Sequence, residues 1–99
     1  MKPYHNKDMD YLYRGILSLQ TREECYAFFE DICTIKELQA MAQRFRVAQM
    51  LRDNKNYQQI QADTGASSAT ISRVNKCLLY GSGGYETALQ RLTEETDNG

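Results

Sequence analysis

An all-α fold of six helices is what this 99-residue sequence predicts, and three observations carry the prediction. Apolar residues recur at steps of three and four, which lays them in stripes down helix faces, and no stretch alternates as a half-buried strand would. A polar cap followed three residues later by Glu or Gln occurs at Thr21–Glu24, Thr34–Glu37 and Asn56–Gln59, a pairing that satisfies free amides at a helix start. Gly81-Ser82-Gly83-Gly84 then interrupts the helical pattern, because glycine is costly inside a helix and cheap in the turn after it.

The elements follow in order. Met9, Leu12, Tyr13, Ile16 and Leu17 stripe a first helix from about Met9 to Leu19. Thr21 caps a second with Cys25, Phe28, Phe29 and Ile32 on one face, and Thr34 caps a long third with Leu38, Met41, Phe45, Ala48 and Leu51. Asn56 opens a short fourth helix, Tyr57 to Thr64, with Ile60 inward and Ala62 small enough for a close crossing. Gly65 ends it. Ser67 caps a fifth helix that turns Ile71 and Val74 inward, and after the glycines a sixth carries Tyr85, Ala88, Leu89 and Leu92. Residues 94–99 are expected to form a flexible acidic tail. Nothing between Met9 and Leu92 resembles a linker, so residues 1–99 are expected to form a single domain.

Composition narrows the function. Hydrophobic residues at 41% and charged residues at 25% are ordinary for a globular chain. Apolar runs of three or four residues, as at Tyr26–Phe29, exclude a membrane-spanning helix. The N-terminal residues have no apolar export segment, so a cytoplasmic location is expected. Cys25, Cys33 and Cys77 have no C-x-x-C spacing and His5 is the only histidine, which leaves no metal-ligand set and no disulfide framework. No nucleophile with a base, and no paired acids, can be assembled, so catalytic residues, a cofactor and an enzymatic role are not expected.

Charge is informative once divided. Residues 1–43 carry a balance of minus two and residues 77–99 minus three, while residues 44–76 carry plus four through Arg44, Arg46, Arg52, Lys55, Arg73 and Lys76 against Asp53 and Asp63. The positive field therefore lies over residues 44–76, the middle third of the chain.

Overlapping that segment, residues 57–80 read as a helix-turn-helix. A recognition helix enters the major groove by its N-terminal end and needs short side chains there, a need that Ser67, Ser68, Ala69, Thr70 and Ser72 meet. Free amides at the helix start favour a nearby phosphate, and Arg73 and Lys76 lie about one turn further on. A helical protein-interaction module without direct DNA readout would share the same pattern.

Gly65-Ala66-Ser67-Ser68-Ala69-Thr70-Ile71-Ser72-Arg73, with Asn75-Lys76-Cys77-Leu78 and Tyr80-Gly81-Ser82-Gly83-Gly84-Tyr85, resembles the Trp repressor superfamily, in particular its Trp-repressor-like YerC/YecD branch. The resemblance implies an intertwined homodimer with a shared core of about residues 9–53 and 85–93. Helices four and five would form the DNA-reading heads, placed about 34 Å apart on a near-palindromic operator in double-stranded DNA. It implies a transcriptional regulator, a repressor, with DNA contacts at Ser67, Ser68, Ala69, Thr70, Ser72, Arg73 and Lys76. Gln58 and Gln61 would face phosphates where that family has basic residues. It places an effector pocket at Cys33, Gln43, Arg44, Arg73 and Cys77. There Gln43 and Cys77 replace an arginine and a serine, which disfavours tryptophan and points to another small amino acid as corepressor, histidine being a candidate.

Overall fold

A computed structural model describes residues 2–98, which form six α-helices and, among these residues, no strand. They are α1 (Lys7–Leu17), α2 (Arg22–Ile32), α3 (Ile35–Arg52), α4 (Tyr57–Thr64), α5 (Ser68–Tyr80) and α6 (Gly84–Asn98). The all-α prediction and its order of helices hold. The chain divides into two compact units, Met1–Leu38 and Gln39–Gly99.

Caps set most boundaries. Asn56 and Gln59 form a complete reciprocal box, each accepting the other's backbone amide at 2.9 and 3.0 Å. Thr34 and Glu37 do the same at 3.1 and 2.8 Å. At Thr21 the hydroxyl accepts from the Glu24 amide, but the Glu24 carboxylate reaches one residue further, to the amide of Gln20. The first helix begins two residues before its expected start, because Asn6 accepts from the Met9 amide and caps it without a partner of the Glu or Gln type. It stops at Leu17, where the Ser18 hydroxyl donates back to the Gly15 carbonyl.

The Glu37 carboxyl sits below the usual glutamate range, first because it accepts the Thr34 amide and then through the Thr34 side chain. A depressed folded value means that this cap stabilises above the unfolded glutamate's titration and is lost as pH falls through the folded one. Carbon shifts of Glu37 followed by NMR should therefore show a midpoint below the usual glutamate range. A midpoint within that range would show that the cap does not form.

In the first unit no residue of α1 or α2 is buried. The predicted stripes are covered only in part: Met9, Leu12, Ile16, Phe28 and Phe29 are half-buried, whereas Tyr13, Leu17, Cys25 and Ile32 are exposed. Phe28 and Phe29 meet edge to face at 5.2 Å.

The second unit has a core of its own: Val47, Ala48 and Met50 from α3, Ile60 from α4, Ala66 from the turn, Ile71 and Val74 from α5, and Leu89 from α6. Ala62, expected at a close helix crossing, is exposed, and Ala66 in the turn is the small residue buried there instead. Val47, Ala48, Met50 and Leu89, which the resemblance assigns to a shared dimer core, lie in one cluster with the buried residues of the helix-turn-helix.

Three ends complete this unit. Asn54, at φ +64°, closes α3 in the left-handed region, its amide reaching the Leu51 carbonyl while that of Lys55 reaches Met50. A Cβ at Gly81 would strike the carbonyl oxygen of Cys77, which already accepts the Gly81 amide at 2.8 Å. α6 runs to Asn98, beyond the expected start of the tail; no glycine or proline interrupts residues 85–98, and Gly99 lies outside the described residues. α6 is also held by Arg52, which pairs with Glu86 at 3.0 Å and donates to Gln90 and Thr93.

Candidate nucleic-acid interface

α4 and α5 meet through a three-residue turn, Gly65 to Ser67, whose conformation follows from its residues. Gly65 takes φ +71°, a region that side chains rarely adopt, and its amide donates to the Gln61 carbonyl at 2.9 Å. Thr64 donates from its hydroxyl to the Ile60 carbonyl at 2.7 Å and accepts from the Ala66 amide at 3.1 Å. Ser67 then caps α5, accepting from the Thr70 amide at 3.2 Å and donating to the Thr70 hydroxyl at 3.1 Å.

This geometry divides α5 into two faces. Ile71 and Val74 are fully covered, at 0% and 1% exposure, which fixes the rotation of the helix on the core. Ser67, Ser68, Ala69, Ser72, Arg73 and Lys76 are exposed, and Thr70 is half-buried through its bonds to Ser67. Gln58 and Gln61 are exposed on α4. Every residue read from the sequence as a DNA contact is therefore on or beside an open surface. Arg73 and Lys76 make no hydrogen bond or ion pair among the described residues.

Of the other four cations of the basic segment, Lys55 is exposed with no side-chain hydrogen bond or ion pair among the described residues, and the remaining three are less free. The charge of Arg52 is answered by Glu86, and Arg46 donates to Gln49 at 2.7 Å, whereas Arg44 is half-buried on α3. The long-range partners of Arg52 had no sequence signal, because Glu86, Gln90 and Thr93 lie more than thirty positions away.

Five residues are expected from the resemblance to form an effector pocket. Cys33 ends α2 in the first unit, half-buried. Gln43, half-buried, donates from Nε2 to the carbonyl of Thr64 at 3.0 Å, a contact that sequence reading missed. Arg73 and Cys77 are exposed, and no hydrogen bond joins any two of the five among the described residues. A cleft of about 300 Å³ between α3 and α6 is lined by none of them; Phe45, Gln49, Arg52, Leu89 and Leu92 contribute its walls. No cluster of three His, Cys, Asp or Glu suited to a metal ion occurs among the described residues. No helix among them is long and apolar enough to cross a membrane.

Comparison with known proteins places this architecture. The family model described as "Trp repressor protein" matches residues 7–93, the whole span from α1 into α6. The chain belongs to the Trp repressor family. It is 55% identical over 93 residues to the uncharacterized protein YerC of Bacillus subtilis (strain 168), covering 93% of this chain and 89% of that one. The crystal structure of a TrpR-like protein from Eubacterium eligens is 48% identical and superposes with a TM-score of 0.89 over 91% of this chain and 93% of the other. A crystal structure from Staphylococcus aureus, provisionally assigned as a Trp repressor, gives 0.89 at 40% identity over 94% and 96%. Family membership thus rests on nearly the full chain, and the recognition made from residues 65–85 agrees with it.

Proposed function

We propose that this chain is a sequence-specific DNA-binding transcriptional regulator, a repressor, that acts as a homodimer on a near-palindromic site in double-stranded DNA. The observation that carries this reading is the two-faced α5. Its buried side locks the helix, while its first turn offers short hydroxyl and methyl side chains to a groove, followed by two cations without a partner among the described residues. Serine and threonine suit base edges and phosphates, and the Ala69 and Thr70 methyls suit thymine.

The homodimer is supported by the first unit. Helices of this length are marginal in water unless an apolar face is packed, yet α1 and α2 bury no residue within one chain. Tyr11, Leu17, Tyr26 and Ile32, all more than half exposed, supply the apolar area that a second copy would cover.

Selection from a random duplex pool at low ionic strength should recover an inverted repeat whose half-sites lie about one helical turn apart. Affinity should fall by about 0.9 logarithmic units per phosphate contact for each tenfold rise in salt. Neutral Gln58 and Gln61 should keep that slope small, and replacing Lys76 by alanine should lower it further by about one contact. A pool from which nothing is enriched would remove the reading.

An amino-acid effector other than tryptophan belongs to the same proposal, since the exposed Arg73 guanidinium can hold a carboxylate bidentately. Thermal-shift screening of the amino acids checks it.

A further inference from the structure

The helix-turn-helix rests on α3 almost wholly through apolar side chains, Val47, Ala48 and Met50 against Ile60, Ala66, Ile71 and Val74. Burial of this kind seats α5 on the core, but it gives the polar backbone of the turn no partner. A single directional bond is added to it. Gln43 donates from Nε2 to the Thr64 carbonyl at 3.0 Å, across 21 positions of sequence, in a half-buried setting. Among the described residues it is the one hydrogen bond between α3 and residues 57–80.

The acceptor lies at a sensitive point. Thr64 is the last residue of α4, directly before the left-handed Gly65 and three positions before the cap of α5. Carbonyls at a helix C-terminus lack partners within the helix and must find them elsewhere. Gln61 and Ile60 carbonyls are answered by the Gly65 amide and the Thr64 hydroxyl, and the Ala66 amide by that same hydroxyl. Gln43 supplies the remaining donor for the Thr64 carbonyl and ties the turn to α3.

Resting on the DNA-binding reading above, we propose that Gln43 is a positioning residue for base readout. Its amide pins the turn at Thr64 to α3, and this sets the pose in which Ser68, Ala69, Thr70 and Ser72 meet the groove. Base-edge contacts need that pose, whereas attraction to phosphates tolerates a looser one. Loss of the bond should therefore cost specificity more than general affinity.

The test compares the wild-type chain with Gln43→Met, which keeps an unbranched chain of similar length and removes the donor. Affinities of both chains for the selected duplex and for a random duplex are measured in the same buffer. The variant should lose about tenfold on the selected duplex, the upper end of what one hydrogen bond contributes, and little on the random one. Equal losses on both, or unchanged preference, would overturn the proposal. Should the variant not fold, hydrogen exchange in the wild-type chain decides: the Gln43 carboxamide protons should exchange more slowly than those of exposed Gln58, and equal rates would overturn it. If the wild-type chain selects no duplex, the DNA-binding reading itself falls; if it selects one and Gln43→Met keeps its preference, only this proposal does.

Discussion

Ile71→Ala should lower stability by about 2–5 kcal/mol, the range for emptying a fully packed isoleucine site. Ile71 is 0% exposed and sits among Val47, Ala48, Ile60 and Val74 in a core of eight buried residues, so few neighbours can move in to fill the space. Against a total of about 5–15 kcal/mol for a typical domain, the loss is a large fraction. Urea denaturation at fixed protein concentration should show a lower midpoint, and specific DNA binding should fall with it. α5 carries Ile71 on one face and Ser68, Ser72 and Arg73 on the other, so a helix that is no longer seated cannot present them. Ile71→Val, which removes one methylene, should cost only about 0.5–1.5 kcal/mol. A midpoint that Ile71→Ala leaves unchanged would show that the helix-turn-helix is not held by this core.

Ala69→Glu should have the opposite profile. Ala69 is exposed in the first turn of α5, where a carboxylate interacts favourably with the free amides of the helix start, so the fold should be unharmed or slightly stabilised. On DNA the same side chain would bring a negative charge and extra length to the point where the helix meets the groove. Specific affinity should drop at least about a hundredfold, equivalent to about 2.7 kcal/mol. Titration of the selected duplex beside a denaturation curve checks both halves. If the variant bound as the wild-type chain does, the start of α5 would not be the reading surface.

Much of the site was legible because its chemistry is local. Gly65, the Ser67 cap and the inward spacing of Ile71 and Val74 lie within ten positions, and each speaks through a rule of backbone conformation or helix period. Boundaries drifted where the signal was weaker. Asn6 caps α1 without a box, and α6 runs past Thr93 where composition suggested a tail. Ala62 and Ala66 are both small residues near the crossing of α4 and α5, and helical period alone could not say that the turn residue would be the buried one.

By itself, then, the sequence determined the helical class, the order of six helices, the turn chemistry and the residues offered on the outer face of α5, since caps, glycines and apolar period act over a few residues. Only the tertiary structure decided which cations are spoken for and what holds the turn in place. Arg52 is matched by groups on α6 and Gln43 by the carbonyl of Thr64, partners 34 and 21 positions away. Such pairings depend on where separate helices come to rest against one another, and packing a non-directional core leaves no period or motif along the chain from which they could be read.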